Sequence, residues 1–516
     1  MKVKIYTTIL LLSSLLSYSQ TPEDALRLSW FQLRGTARNQ AIGGAMGSLG
    51  GDATANHINP AGLAFFKTSD FILTPGALFG NGKSNFRGTS TGKIKQDGKF
   101  ELGTSGFVFG GLGYRAKNTF AITVTQQADF NQRKYYKGLN DYSSFAEPLA
   151  DEFAGSNLTI DEALLYNSSV SIPTRMALYT YLVDTATVNG SLQVIARSET
   201  PEVREQENLI ESSGGITELN FGWGSEVSKK FMAGLSLGID IVKYEKRTYF
   251  KESDATGDLD NDFSFLAYDE RFSLKGYGLN LKGGFIFRPK EYIRLGLAVH
   301  SPTWMPLKES LNSGFAADLE NLFGAGNGYD SVGMNTITGS SSQIENRYSL
   351  NSPAKIMISG SYVFREVEDI RRQKGFITAD IEYTNYKWAN FGPYNGEGNN
   401  IAKEPYQPYN EAIDAIYKGT FNFRVGGELK FKILMARAGF AYYTSPYKDK
   451  ELKGRKMFLS GGLGYRNKGM FVDLTYVHRL NKEVNFPYRV NSPRANTFAD
   501  LKDSGGNVLL TLGFKI

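Results

Sequence analysis

The chain holds few residues able to do chemistry. Its imidazoles are His57, His300 and His478, far apart in sequence, and there is no cysteine. A zinc site draws on closely spaced thiolates and imidazoles, so no metal site is expected. A disulfide scaffold and a thiol nucleophile are excluded outright. A haem ligand at His57 is the one cofactor role left open, against the plainer reading of a polar residue beside a turn. Residues 76–84, GALFGNGKS, come close to a phosphate-binding loop. Ala77 occupies the first glycine position, however, and no helical pattern follows to offer its N–H groups to a phosphate. Serine, histidine and aspartate occur without the strand–turn–helix setting of a nucleophile elbow. Neither an enzyme nor a cofactor protein is indicated.

The first residues carry an address. Lys2 and Lys4 precede an apolar stretch from Ile5 to Leu16, and Ser17 and Ser19 stand just before Gln20. A basic start, a short hydrophobic stretch and a small-residue exit make residues 1–19 a secretory signal peptide. The stretch is too short and too rich in hydroxyls to cross ~30 Å of hydrocarbon as a helix. Across the 516 residues, 13% are aromatic and only 21% charged, an unusual balance for a soluble surface. Mean hydropathy is -0.31. The net charge of +6 is spread along the chain and gives no reason to expect a nucleic-acid partner. Beyond the signal no run of about 18 apolar residues occurs, so a membrane-bound form must be a closed β-barrel.

The periodicity agrees. Phe421, Phe423, Val425, Leu429 and Phe431 share one face, opposite Asn422, Arg424, Glu428 and Lys430. The same period of two runs through Leu235, Leu237, Ile239 and Ile241, through Ile293, Leu295, Leu297 and Val299, and through Ile377, Ala379, Ile381 and Tyr383. The last residues place Val508, Leu510, Leu512, Phe514 and Ile516 on one side. Alternation is the strand signal, and apolar-out, polar-in strands of ~10 residues are the transmembrane barrel pattern. Segments from 69–80 to 507–516 amount to about 14 antiparallel strands, an even number. Connections alternate in length. Those at 115–118, 228–231, 289–291, 431–433 and 467–469 are short, and 366–374 is modest. Those at 132–215, 251–271, 311–352 and 392–418 are long. Short periplasmic turns and long outer loops are the barrel asymmetry. The segment GLGYRAKNTF (111–120) echoes GLGYRNKGMF (462–471) as two similar turns, with Tyr114, Phe120, Tyr465 and Phe471 suited to an aromatic girdle.

Before the first strand the chain changes character. Residues 22–34 form a short helical pattern, and a glycine-rich tract follows with Gly43, Gly44, Gly47, Gly50 and Gly51. It ends in Asn59-Pro60-Ala61-Gly62, a turn signal. Such a tract can fold back within a confined lumen. The expected layout is a signal at 1–19, a luminal plug at 20–66 and an all-β transmembrane barrel at 67–516.

The passage LRGTARNQAIGGAMGSLGGDATANHINPAGLAFF (33–66) resembles the plug and first-strand entry of the FadL-type outer-membrane transporters, in the style of their Bacteroidetes members. Asn59, Pro60 and Ala61 are its most specific part, and weaker similarity runs through 351–364, 435–447 and 458–480. That resemblance implies a monomeric 14-stranded barrel in a Gram-negative outer membrane, with the plug as gate and small hydrophobic, fatty-acid-like molecules as cargo. It also implies contact with outer-membrane lipid and lipopolysaccharide and no cofactor. Two departures stand out: the longest loop follows strand three, at 132–215, and the loop at 251–271 is short. In the loop after strand seven, Leu311, Phe315, Leu319, Leu322 and Phe323 have helical spacing and are candidates for an outer ligand groove. Arg294 and Arg424 are candidates for a luminal ligand site, with Asp380 or Glu428 as competing partners. Release would need the plug to shift or a wall to open sideways. A related branch of the family acts instead as a shuttle for type IX secreted proteins. N-terminal sequencing of the purified outer-membrane form is expected to start near Gln20; a cytosolic protein retaining Met1 overturns the export reading.

Overall fold

The computed structural model describes residues 21–113, 117–324, 326–340, 343–365, 374–394, 404–491 and 493–516. The signal segment, Tyr114 and most of the 366–374 turn lie outside the described residues. The fold is a closed antiparallel barrel of 14 strands. In chain order they are β1 (Asp70–Leu73 and Pro75–Phe86), β2 (Ile94–Leu102 and Ser105–Leu112) and β3 (Asn118–Asp129 and Gln132–Asn140). Then come β4 (Arg204–Ser228), β5 (Phe231–Asp254), β6 (Phe265–Lys290), β7 (Ile293–His300 and Trp304–Asp318) and β8 (Ile344–Asn351 and Lys355–Phe364). The ring is completed by β9 (Gly375–Asn385 and Asn390–Pro393), β10 (Gly419–Phe431), β11 (Leu434–Tyr443), β12 (Lys456–Asn467), β13 (Met470–Asn485) and β14 (Ala499–Lys515). Closure is by β14 against β1, in the register Phe71↔Phe514 and Ala77↔Val508.

The alternation expected from the sequence is present. On β6, Phe287, Phe285, Leu281, Leu279 and Tyr277 face outward and are exposed, while Ile286, Lys282, Asn280 and Leu274 are buried. The outward row then turns charged at Lys275 and Arg271. On β5 the change falls between Ile241 and Lys243, followed by Glu245 and Arg247. The outer edge of the hydrocarbon is therefore written into the wall. β4, β5 and β6 have 25, 24 and 26 residues. At ~3.3 Å per residue and a tilt of ~40°, such a strand rises roughly 60 Å, about twice the ~25 Å apolar band. Their outer halves stand clear of the membrane and carry ion pairs such as Arg247–Asp269 at 2.9 Å and Lys137–Glu205 at 2.7 Å.

This corrects the loop lengths. Gln132–Asn140 and the first half of β4 were expected to be loop, yet they form ladders, as do the ends of β5 and β6. Outside the membrane the outward positions no longer need to be apolar, so the ladder persists while the hydrophobic alternation fades. Helical spacing at 311–323 is corrected too. Leu311 and Phe315 lie on β7, paired with Phe272 and Tyr268 of β6. A spacing of four satisfies a strand as well as a helix, and the neighbouring edge decided between them. The first helix is also shorter than the expected 22–34 and spans only Pro22–Arg27 (α1).

The remaining helices are small. α2 (Ala37–Ala41) and α3 (Ala55–Ile58) precede the barrel. The β3–β4 connection holds α4 (Glu147–Ser156), α5 (Ile160–Leu164), α6 (Ile172–Tyr179) and a separate hairpin, Val183–Val188 with Ser191–Ala196. α7 (Met334–Thr338) and α8 (Gln407–Ile416) lie in the β7–β8 and β9–β10 connections. Side chains from these connections, from the β13–β14 connection and from the outer ends of β5 and β7 form an apolar cap that includes Phe145, Phe153, Met176, Phe250, Phe315, Leu319 and Tyr488. A charge placed within the apolar band tests where the membrane lies. Leu281→Arg is expected to cost ~2–4 kcal/mol in folding into lipid vesicles. Lys275→Leu, just beyond the band, is expected to be near neutral; equal costs at the two positions overturn the assigned boundary.

Candidate functional site

A barrel of this width leaves a lumen that wall side chains alone do not fill. Residues 33–66 occupy it. Pro60–Phe65 forms a 3-10 turn in which Asn59 Oδ1 accepts from Ala61 N at 3.1 Å. Asn59 Nδ2 donates to Gly47 O at 2.6 Å and reaches Phe285 O and Leu297 O on the wall at 3.3 and 3.4 Å. Wall glycines make the room. A Cβ at Gly234 would lie 2.3 Å from Pro60 C, and one at Gly284 would lie 1.9 Å from Asn59 Oδ1. Gly43 and Gly44 have φ of +67° and +78°, a region that disfavours side chains, and a Cβ on Gly43 would meet the Phe440 backbone at 2.7 Å. Gly47 N donates to Asp380 Oδ2 at 3.1 Å. Gly62 N closes the turn onto Asn59 O at 2.9 Å.

Charged side chains pin this segment to the wall. His57 Nδ1 lies 3.0 Å from Glu218 Oε2, and Lys282 and Gln127 bond the same carboxylate. Arg437 bridges Glu428 at 2.6 Å and Asp473 at 2.6 Å, with Arg38 of the plug 3.5 Å from Glu428. Arg34 bonds Glu101 at 2.5 Å, and Asn507 Nδ2 donates to Glu101 Oε2 at 2.7 Å. A charge in so buried a place is costly unless paired, and these are paired several times over. His57 thus faces a carboxylate and an amide. Ser236, inside a Gly-Leu-Ser-Leu-Gly run near the start of β5, donates to Asn56 Oδ1 at 3.0 Å.

Arg294 and Arg424 do project inward, with partners other than those expected. Arg294 Nη1 donates to Leu49 O at 2.5 Å and its guanidinium lies over the Phe65 ring. Arg424 bonds Glu382 at 2.7 Å and Tyr443 Oη at 3.3 Å, because Asp380 is engaged by Gly47 and Ser359, and Glu428 by Arg437. Leu311 packs against both the cap and the apolar cluster around Tyr244 and Leu274, whereas Phe315 and Leu319 are buried in the cap. Glu218, Lys282, Glu101 and Arg437 were not singled out beforehand. Each sits at a polar, inward position of an alternating strand, which was the available signal.

Above this collar the lumen becomes apolar. Leu26 and Leu28 of the α1 region pack against Tyr244, Leu274, Tyr348, Leu350 and Tyr417. Beside them lies a cavity of ≈ 450 Å³, lined by Leu26, Trp30, Phe130, Tyr244 and Tyr447 together with charged residues that include Lys134, Lys456, Arg479 and Glu483. Lys134 is paired with Glu483 and Arg479 with Asp503. Lys456 Nζ sits 3.4 Å over the Trp30 ring and has no carboxylate within ion-pair distance among the described residues. The backbone ladder of the wall is interrupted beside it, where Ser84 Oγ donates to Tyr135 O at 2.5 Å across the gap. Ile94–Leu102 pairs only with β1, and Gln132–Asn140 only with β4. Among the described residues no ladder joins these two outer halves of β2 and β3. The seam begins near Leu102 and Gln126, which pairs through Thr217 to Ile241 at the top of the apolar band. Gln132, Lys134, Glu483 and Asp503 line both the cavity and a cleft at the seam.

The fold has known counterparts. A Pseudomonas aeruginosa FadL homologue superposes with a TM-score of 0.53 at 15% identity, covering 94% of this chain and 99% of that one. The fold is that of the FadL-type outer-membrane barrels. The toluene transporter TodX of P. putida gives a TM-score of 0.52 at 13% identity, with 94% of this chain and 99% of that one covered. A deltaS2 mutant of TodX gives 0.52 at 12%, covering 94% and 100%. No family model and no curated protein matches the sequence. At such identities the likeness is one of fold, and the outer-membrane barrel is its content. In this FadL-type barrel Asn59 ties the plug to two strands at once. Asn59→Leu leaves buried carbonyls and an amide unsatisfied, at ~1–3 kcal/mol each. Its ion conductance in planar bilayers is expected to rise well above that of the parent barrel. Unchanged conductance in a folded Asn59→Leu barrel overturns the role of this turn in holding the plug.

Proposed function

We propose that this barrel carries small hydrophobic or amphiphilic molecules across the outer membrane, with residues 20–66 as its plug and fatty-acid-like compounds as the favoured class. One observation carries the reading: a cavity of ≈ 450 Å³ lined by both apolar and charged side chains, among them a lysine with no carboxylate within ion-pair distance among the described residues, next to a seam in the barrel wall. Its size is that of small-molecule sites in general. An apolar tail matches Leu26, Phe130 and Tyr447, and an anionic head matches Lys456 and not Arg294 or Arg424, which are held by the plug and by Glu382. The collar beneath is packed with ion pairs, a poor path for an apolar molecule. The seam at the top of the apolar band is therefore the favoured exit, and the plug serves as a seal. The toluene transporter among the structural neighbours supports a hydrophobic cargo.

The second reading, a shuttle for exported proteins, has one observation in its favour. β4–β6 and the cap stand well outside the membrane and offer a large surface. Uptake into proteoliposomes separates the two. A fluorescent long-chain fatty acid and naphthalene are both expected to enter faster than into empty vesicles. Lys456→Gln is expected to slow the fatty acid by about tenfold, the worth of one charge-assisted contact, and to leave naphthalene unchanged. Equal rates for both probes with and without the barrel overturn the transport reading.

A further inference from the structure

The cap over the barrel mouth is assembled around one carboxylate. Glu252 lies near the outer end of β5, well beyond Lys243 where the lipid-facing surface ends, and is fully buried. It accepts hydrogen bonds from Ser144 Oγ at 2.5 Å, Phe145 N at 3.1 Å and Gln206 Nε2 at 2.5 Å. Ser144 and Phe145 belong to the β3–β4 connection and Gln206 to β4. Gln206 Nε2 also donates at 2.7 Å to Tyr488 Oη, in the β13–β14 connection. Tyr488 in turn donates to Ser143 O at 2.8 Å. This polar knot ties two outer connections to the projecting wall, beside the Arg494–Glu147 and Asn491–Asp151 contacts that also join those connections. Aromatic rings enclose it: Phe145 stacks on Phe250 with centroids 4.9 Å apart and meets Tyr488 edge-on at 5.9 Å.

The charged groups around the knot are engaged elsewhere. Arg204, facing it from β4, spends Nη1 on Ser198 O and Pro201 O. Arg494 is paired with Glu147, and Tyr268 on β6 donates to Glu270 at 3.1 Å. Glu199, on the β3–β4 connection, is itself pushed up by burial and by Glu147. Burial therefore opposes ionisation of Glu252; against it stand the hydrogen bonds from Ser144, Gln206 and Phe145, then the more distant Arg204.

We propose that Glu252 is a proton-operated clasp: its ionisation frees the 141–203 connection from the β13–β14 connection and opens the cap over the barrel mouth. Burial wins against the donors and pushes the Glu252 carboxyl up to about 7 in the closed cap, against 4.5 when solvated. A raised carboxyl favours the closed form fully below pH ~4.5, and that advantage is lost as pH rises through ~7. From pH 6 to 8.5 the closed-to-open ratio falls about tenfold.

The chain has no native cysteine, so single thiols report on the cap. Ala177→Cys lies in the cap interior on α6, and Thr187→Cys on the exposed tip of the outer hairpin corrects for the pH dependence of the thiol itself. Maleimide labelling of the first relative to the second, on intact outer-membrane vesicles, is expected to rise about tenfold from pH 6 to 8.5. In the Glu252→Gln background it is expected to stay at its pH 6 value. Ser144→Ala removes one donor to the ionised form and is expected to give a larger rise than the parent. A flat ratio in the parent, or an equal rise in Glu252→Gln, overturns the clasp. Heat-modifiable migration in gels reports whether each barrel has folded. If Glu252→Gln has not, a Ser144→Ala rise equal to the parent's overturns it.

Discussion

Every backbone N–H and C=O in hydrocarbon needs a partner inside the protein, and the whole molecule follows from meeting that need with strands. An open sheet leaves an edge in lipid; closing β14 onto β1 removes it. Closure with 14 strands then sets the next constraint, a lumen too wide for wall side chains to fill. The N-terminal segment is the answer to that width. It is built of alanine, glycine and short polar residues because it must lie directly on the wall. Wall glycines such as Gly234 and Gly284 reciprocate, letting the Asn59–Pro60 turn approach to backbone distance.

The lumen is layered, and the layers divide the work. At plug level, inward carboxylates and guanidiniums pair with each other and with His57, Arg34 and Arg38. Pairing several times over holds the plug in one position, since breaking any member leaves a buried charge exposed to a poor environment. Above the collar, tyrosines, leucines and the α1 region make an apolar belt beside a cavity in which Lys456 lies over the Trp30 ring. The collar fills the lumen at plug level with paired charges, while the ladder between the outer halves of β2 and β3 is missing among the described residues. The break falls where the outward face changes from apolar to charged, so the unpaired backbone there is near water and does not violate the lipid constraint.

Outside the membrane, the same strands serve another purpose. β4, β5 and β6 continue as a wall carrying the cap, and their outer faces exchange leucine and phenylalanine for Lys–Glu and Arg–Asp pairs. The cap is held by apolar packing around a polar knot at Glu252 rather than by any disulfide, the chain having no cysteine. Such a cap is strong where its carboxylate is neutral and yields where it is charged.

The alternation of side chains between lipid and lumen is a local property, with a period of two along each strand, and so the sequence alone determined the barrel, its strand count and the outward faces of β5, β7, β9 and β10. The Asn-Pro-Ala turn and its glycine-rich approach were legible for the same reason, being chemistry confined to neighbouring residues. Beyond the hydrocarbon the outward positions lose their apolar requirement, and there the sequence stopped reporting strands: Gln132–Asn140 and the first half of β4 looked like loop. Leu311 and Phe315 suited helix and strand equally until the edge of β6 decided. Which cation meets which carboxylate was beyond reach altogether. Arg424 chose Glu382 over Asp380 because the plug's Gly47 had already taken Asp380, a competition between segments more than 300 residues apart. Lys456, the seam and the Glu252 knot are likewise products of closure, where residues from distant strands meet only because the ring forces them together.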